Sequence, residues 1–212
     1  MRARIWDAPT RLFHWLLVLL IPLQWWTARE EMLALHRQIG LVVLGLLLFR
    51  LVWGLIGSST ARFAVFLKGP RAVADYVRGH APPAIGHNPL GGWSVVVMLA
   101  ALAVHVALGL FASDEDGLES GPLAHLLSYD ASERAAELHE QSFELLLVLI
   151  GLHLAAILFY ALVPRRRLVV PMITGRGDAP PGAAPMAAAP LWRLAAAAAI
   201  AAALTLWIGA GA

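Results

Sequence analysis

Five stretches of this chain are long and apolar enough to cross a bilayer, and they leave room for almost no other architecture. They run at about 12–27, 36–57, 92–112, 138–163 and 191–210. A crossing helix needs about 20 mostly apolar residues, because in hydrocarbon the backbone must satisfy its own hydrogen bonds. The composition agrees: 59% hydrophobic and 14% charged residues, with a mean hydropathy of +0.70, lie far from soluble usage. The expected class is an all-α integral membrane protein.

The basic residues are sorted between the intervening segments. Arg2, Arg4 and Arg11 precede the first stretch; Arg62, Lys68, Arg71 and Arg78 fill the second-to-third loop; Arg165, Arg166, Arg167 and Arg176 follow the fourth. Only Arg29, Arg37 and Arg134 fall on the other side. The positive-inside rule therefore puts the N-terminus in the cytoplasm and, after five crossings, the C-terminus on the opposite side of the membrane. The pI of about 9.5 reflects this sorting and not nucleic-acid binding. A signal peptide is disfavoured at the N-terminus, since no convincing small-residue cleavage site follows the apolar core and Trp25–Trp26 interrupt it. Trp15, Trp25, Trp26, Trp53, Trp93, Trp192 and Trp207 fall near expected span ends, where indoles prefer the interface.

Histidines carry the chemistry. His139 and His153 are fourteen residues apart on one apolar segment, HEQSFELLLVLIGLH. At about 100° and ~1.5 Å per residue they share a helix face, roughly 40° out of phase and ~21 Å apart along the axis. The expected topology pairs His36 with His139 at the outer depth and His14 with His153 at the inner depth. Each pair can clamp one haem iron from both sides, and such six-coordinate sites suit electron transfer. With no cysteine in the chain, disulfides, iron–sulfur clusters and covalently attached haem are excluded. A single histidine near a membrane surface is often only an interfacial polar residue, and intramembrane histidines elsewhere serve proton relays or metal transport. Those uses bring carboxylates into the spans, and these span cores hold almost none. Gly40, Gly45 and Gly151 allow close approach to a flat macrocycle; ordinary helix packing explains them as well.

The motifs WDAPTRLFHW (6–15), LHRQIGLVVLGLLLFRLVWGLIGSSTARF (35–63), GHNPLGGWSVVVML (86–99), LHEQSFELLLVLIGLH (138–153) and LVVPMITGR (168–176) carry a resemblance. Over residues 4–176 the chain resembles bacterial membrane cytochromes b of the superfamily joining cytochrome b561 to the haem-b subunit of nickel–iron hydrogenases. The resemblance implies a four-helix transmembrane bundle with two non-covalent b haems, in which the first, second and fourth helices supply ligands matching His14, His36, His139 and His153. It implies electron transfer in a respiratory chain between the quinone pool and a periplasmic partner, a c-type cytochrome or a hydrogenase. Other members imply a self-sufficient quinone oxidoreductase, such as a superoxide:quinone oxidoreductase. A structural membrane protein without cofactor is the third reading, and colourless protein would support it. The fifth stretch, 191–212, departs from the four-helix pattern as an appended transmembrane helix, joined to the domain at 1–176 by a Pro/Gly/Ala linker at 177–190.

Weaker candidates complete the reading. Arg50 is placed to pair with a propionate of the inner haem, with snorkelling to lipid phosphate an equal alternative. Arg37 has a lesser claim on the outer haem. His105, on the third stretch, is expected to be a hydrogen-bonded core residue or a neighbour of a haem or quinone. His87 is expected to stabilise its loop, with Asn88 and Pro89 as turn chemistry, or to border a quinone pocket. His80 and His125 are given no role. Asp114, Glu115, Asp116, Glu119, Asp130, Glu133 and Glu137 make the outer loop acidic, a face that either steers a basic cytochrome c or is merely solvated.

Overall fold

A computed structural model describes residues 2–81, 85–113, 119–163 and 167–211. Each apolar stretch forms a long helix: α1 (Ala8–Arg29), α2 (Leu33–Ile56), then, after short α3 (Phe63–Phe66) and α4 (Pro70–Val77), α5 (Pro89–Phe111). The chain continues through a 3₁₀ turn (Ala124–Leu126), α6 (Tyr129–Leu162), short α7 (Val169–Thr174) and α8 (Leu191–Gly209). The protein is multi-pass and all-α in its long elements. Among the described residues, four helices are long and apolar enough to cross a membrane: α2, α5, α6 and α8. Helix α1 has the length, at 22 residues, but Arg11, His14, Gln24 and the Trp25–Trp26 pair dilute its apolar run. Helix α6, at 34 residues, begins well before its apolar stretch, because Ser132 and Ala135 are buried and extend the helix beyond the hydrophobic segment.

Two compact units form, one from residues 1–13, 50–97 and 150–197, the other from 14–49, 98–149 and 198–212. In the first, β1 (Arg2–Arg4) pairs antiparallel with β2 (Arg176–Asp178), in the register Arg2 to Asp178 and Arg4 to Arg176. This ribbon was not expected from the sequence, since three-residue strands carry no periodic signal. Its anchor is Gly175, whose carbonyl accepts from the Ile5 and Trp6 amides at 2.8 and 3.3 Å. Asp7 caps α1 through the Thr10 amide at 2.8 Å, and its second oxygen accepts from Trp53 Nε1 at 2.9 Å and from Ser58 Oγ. Trp53 is therefore a buried scaffold residue, 3% exposed, and not an interfacial indole. The other six tryptophans of that set are exposed. Ser59 and Ala187 exchange two hydrogen bonds of 3.0 Å, tying the segment before α8 down, and Arg193 reaches the Ile56 carbonyl at the end of α2.

In the second unit, α1 turns into α2 through Glu31, which adopts a left-handed φ of 55°. Thr205, the one hydroxyl-bearing residue of the Ala- and Leu-rich α8, sits where a side chain on Gly45 would meet it at 3.2 Å. Gly45 thus serves helix packing. The carbonyls ending α5 are satisfied by the amides of Gly121 and Leu123, which bond Ala112 and Leu110 at 2.8 and 2.9 Å.

Candidate functional site

Of the two expected histidine pairs, His36 and His139 fall within one unit. Their rings lie edge-to-face, with centroids 6.1 Å apart and planes 89° from parallel. Two imidazoles on opposite sides of one metal, each bonded at about 2 Å, need a centroid separation of roughly 6 Å. The centroid separation of His36 and His139 matches that requirement.

Each ring is aimed by a backbone carbonyl. His139 Nδ1 lies 2.8 Å from the His105 carbonyl, and His36 Nδ1 lies 3.1 Å from the Gln24 carbonyl. A carbonyl only accepts, so both Nδ1 atoms carry the proton and both Nε2 atoms keep a lone pair for a metal. Thr27, fully buried, donates to the same Gln24 carbonyl at 3.0 Å and lies 3.4 Å from His36 Nδ1. The α1–α2 turn brings Gln24 and Thr27 back beside His36, which opens α2.

His105 has a larger part than the sequence indicated. Its ring stacks on His139 at 3.9 Å and 15°, and its Nδ1 donates to Ser142 Oγ at 2.9 Å. Ser142 Oγ in turn donates to the His139 carbonyl at 2.8 Å. With the His139 bond to His105, a closed circuit of three hydrogen bonds locks α5 to α6 around the ring. Gly109 completes the cradle: a Cβ there would stand 2.8 Å from His139 Cε1 and 3.0 Å from Nδ1. The signal for His105 was its place on a span otherwise empty of ionisable side chains, but which residue it met was set by packing.

Among the described residues no group of three or more His, Cys, Asp or Glu side chains is placed to hold a metal ion. Two imidazoles alone suit an iron whose other four ligands come from a macrocycle, and they suit a protein-only metal site poorly. Haem thus fits the donor set.

His14, half-buried on α1 with its ring edge-on to Trp15 at 5.1 Å, belongs to the second unit; His153, half-buried on α6, belongs to the first. One unbroken helix carries both His139 and His153. Space beside Gly151 is open, with nothing within 4 Å of a Cβ placed there.

Arg50 is 2% exposed, which removes snorkelling to lipid as its explanation. Its guanidinium lies 5.0 Å from the Phe63 ring centre, and its Nη1 is buried with no hydrogen-bond partner among the described residues. A buried, under-used guanidinium fits a carboxylate from a bound group. His87 is wedged between Trp6 and Phe66, at 4.6 and 4.7 Å, and burial, with the Arg50 charge adding to it, pushes its pKa down to about 3. Asn88 caps α5 through the Gly91 amide at 2.7 Å and donates to Tyr160 Oη at 3.1 Å, which also meets Tyr76 Oη at 2.6 Å. These contacts give His87 and Asn88 a loop-stabilising role.

Arg37 pairs with Glu119 at 3.6 Å, and Arg134 pairs with Glu137. Asp114, Glu115 and Asp116 of the acidic loop, and Arg165 and Arg166 of the basic set, lie outside the described residues.

One family model matches, over residues 5–175, and its description is prokaryotic cytochrome b561. No curated protein and no solved structure matches the chain.

Proposed function

This chain belongs to the prokaryotic cytochrome b561 family, whose members imply haem-based transmembrane electron transfer, and on that premise we propose which residues perform it and between which partners. His36 and His139 hold one b haem; His14 and His153 hold a second. Haem would supply reversible one-electron chemistry there. The observation that carries the reading is the His36–His139 pair, 6.1 Å apart with both Nδ1 protons committed to backbone carbonyls.

The chain's own residues do the rest. The His105–Ser142 circuit holds the His139 ring in one orientation, so little rearrangement accompanies a change of charge beside it. Arg50 pairs with a propionate of the second haem. Helix α1 crosses the membrane as a fifth span, tolerating His14 and Gln24 because they face protein and cofactor instead of lipid. The arginine-rich segments lie in the cytoplasm, and electrons pass between the quinone pool and a periplasmic redox protein, a c-type cytochrome or a hydrogenase.

Proteoliposomes test this directly. With the haem-loaded chain in the bilayer and a quinol as donor, cytochrome c supplied on the His36/His139 side should be reduced, and a His36→Ala chain should not reduce it. Loaded wild-type protein that moves no electrons from quinol would overturn the assignment of partners.

A further inference from the structure

The first unit contains a cavity of about 660 Å³ that the electron path does not use. Three guanidinium groups line it, from Arg4, Arg11 and Arg176, against one carboxylate, Asp7. That carboxylate is already engaged: its oxygens accept from the Thr10 amide, Trp53 Nε1 and Ser58 Oγ. None of the three arginines is ion-paired among the described residues.

The arginines are held together by the fold. Arg4 and Arg176 stand directly opposite each other in the β1–β2 register, while the other end of the ribbon matches Arg2 with Asp178. Like charges directly opposite on a ribbon are destabilising unless something between them is negative. Arg11 is drawn in from α1 by the bond of its Nη1 to the Ile173 carbonyl, and its Nε is buried without a partner. Gly175, at φ 75°, permits this: a Cβ there would press on Arg11 Nε at 3.2 Å and on the Trp6 carbonyl at 2.9 Å. So the turn that anchors the ribbon also fixes the third cation beside the other two.

Apart from Thr174, the rest of the wall is largely apolar and includes Trp53, Leu191 and Leu194. Leu191 is the first residue of α8, a helix long and apolar enough to cross a membrane, and it is 82% exposed. Concentrated positive charge beside a helix end, with a greasy wall, has the two-part character of a phospholipid at the depth of its headgroup. We propose that this cavity binds an anionic phospholipid: its phosphate sits among Arg4, Arg11 and Arg176, and its acyl chains follow Trp53, Leu191 and Leu194. The bound lipid neutralises the Arg4–Arg176 repulsion and fastens the β1–β2 ribbon to the start of α8.

The test needs no assumption about haem. Delipidated wild-type protein in mild detergent is titrated with phosphatidylglycerol, phosphatidylcholine or inorganic phosphate, and bound species are counted by native mass spectrometry. Phosphatidylglycerol should be retained about tenfold better than phosphatidylcholine, and phosphate at equal concentration should give no comparable adduct or thermal stabilisation. Arg4→Gln with Arg176→Gln should remove that preference, while Arg71→Gln with Arg78→Gln, which do not line the cavity, should leave it. Equal retention of the two lipids by wild-type protein overturns the proposal, and this arm stands even if the double variant fails to fold. Phosphate that binds as well as the lipid assigns the cavity to a free anion and overturns the lipid reading. A preference unchanged in a folded Arg4→Gln/Arg176→Gln protein places the lipid elsewhere and overturns the site.

Discussion

His105 lies flat against His139, ring centroids 3.9 Å apart, while its backbone carbonyl receives the His139 Nδ1 proton at 2.8 Å. Side chain and main chain of one residue thus hold the same imidazole by separate means. His105→Ala removes the stacking and the Ser142 bond but keeps the carbonyl. We expect it to retain two haems per chain, with changed low-spin electron paramagnetic resonance g-values for one of them. An unaltered spectrum would show that the stacking does not constrain the ligand.

Gly109→Ala attacks the same ring from the other side. Its methyl group would stand 2.8 Å from His139 Cε1, closer than side chains pack, so ring or helix must move. Overpacking of this kind costs about 1–3 kcal/mol. The haem stoichiometry should fall toward one per chain, read by pyridine haemochrome assay; full occupancy with an unchanged melting temperature would refute the cradle.

Arg50→Ala removes a buried positive charge from the first unit. Losing a cation favours the oxidised, more positive iron, so the midpoint potential of the haem held by His153 should drop, by an amount on the order of tens of millivolts, with haem retained. An unchanged potential would sink the propionate pairing.

His87 sets a pH dependence. Its ordinary value is 6.5 and burial pushes it down to about 3, so the folded chain keeps it neutral while the unfolded chain protonates it below 6.5. Its contribution is fully present above pH 6.5 and is lost as pH falls from there toward 3, at no more than about 1.4 kcal/mol per pH unit. Thermal unfolding of wild type should therefore weaken more steeply with acid than that of His87→Gln. Parallel pH profiles would contradict this.

What the sequence made legible was whatever repeats locally. Apolar runs announced the five long helices, and the spacing of His139 from His153 followed from helical geometry alone. Pairing His36 with His139 needed only topology, because charge sorting orders the helices along the membrane normal. The β1–β2 ribbon was invisible: it joins Arg4 to Arg176, and its strands are too short to show alternation. Trp53 read as an interfacial indole from its position near a helix end, yet its Nε1 meets Asp7, a partner 46 residues away. Arg50 read equally well as a lipid-facing residue, since nothing local to α2 shows that Phe63 covers it. The grip of His105 on His139 was hidden for the same reason, because stacking depends on how α5 and α6 rotate against each other.

The central claim is that four histidines hold two haems in two pairs. The most direct test is a dithionite-reduced minus oxidised spectrum of the purified chain with pyridine haemochrome quantitation, repeated for His36→Ala and His139→Ala. The account predicts two low-spin b haems per wild-type chain and one in each variant, with the same haem lost from both. No haem in wild type, or two retained in either variant, would contradict it.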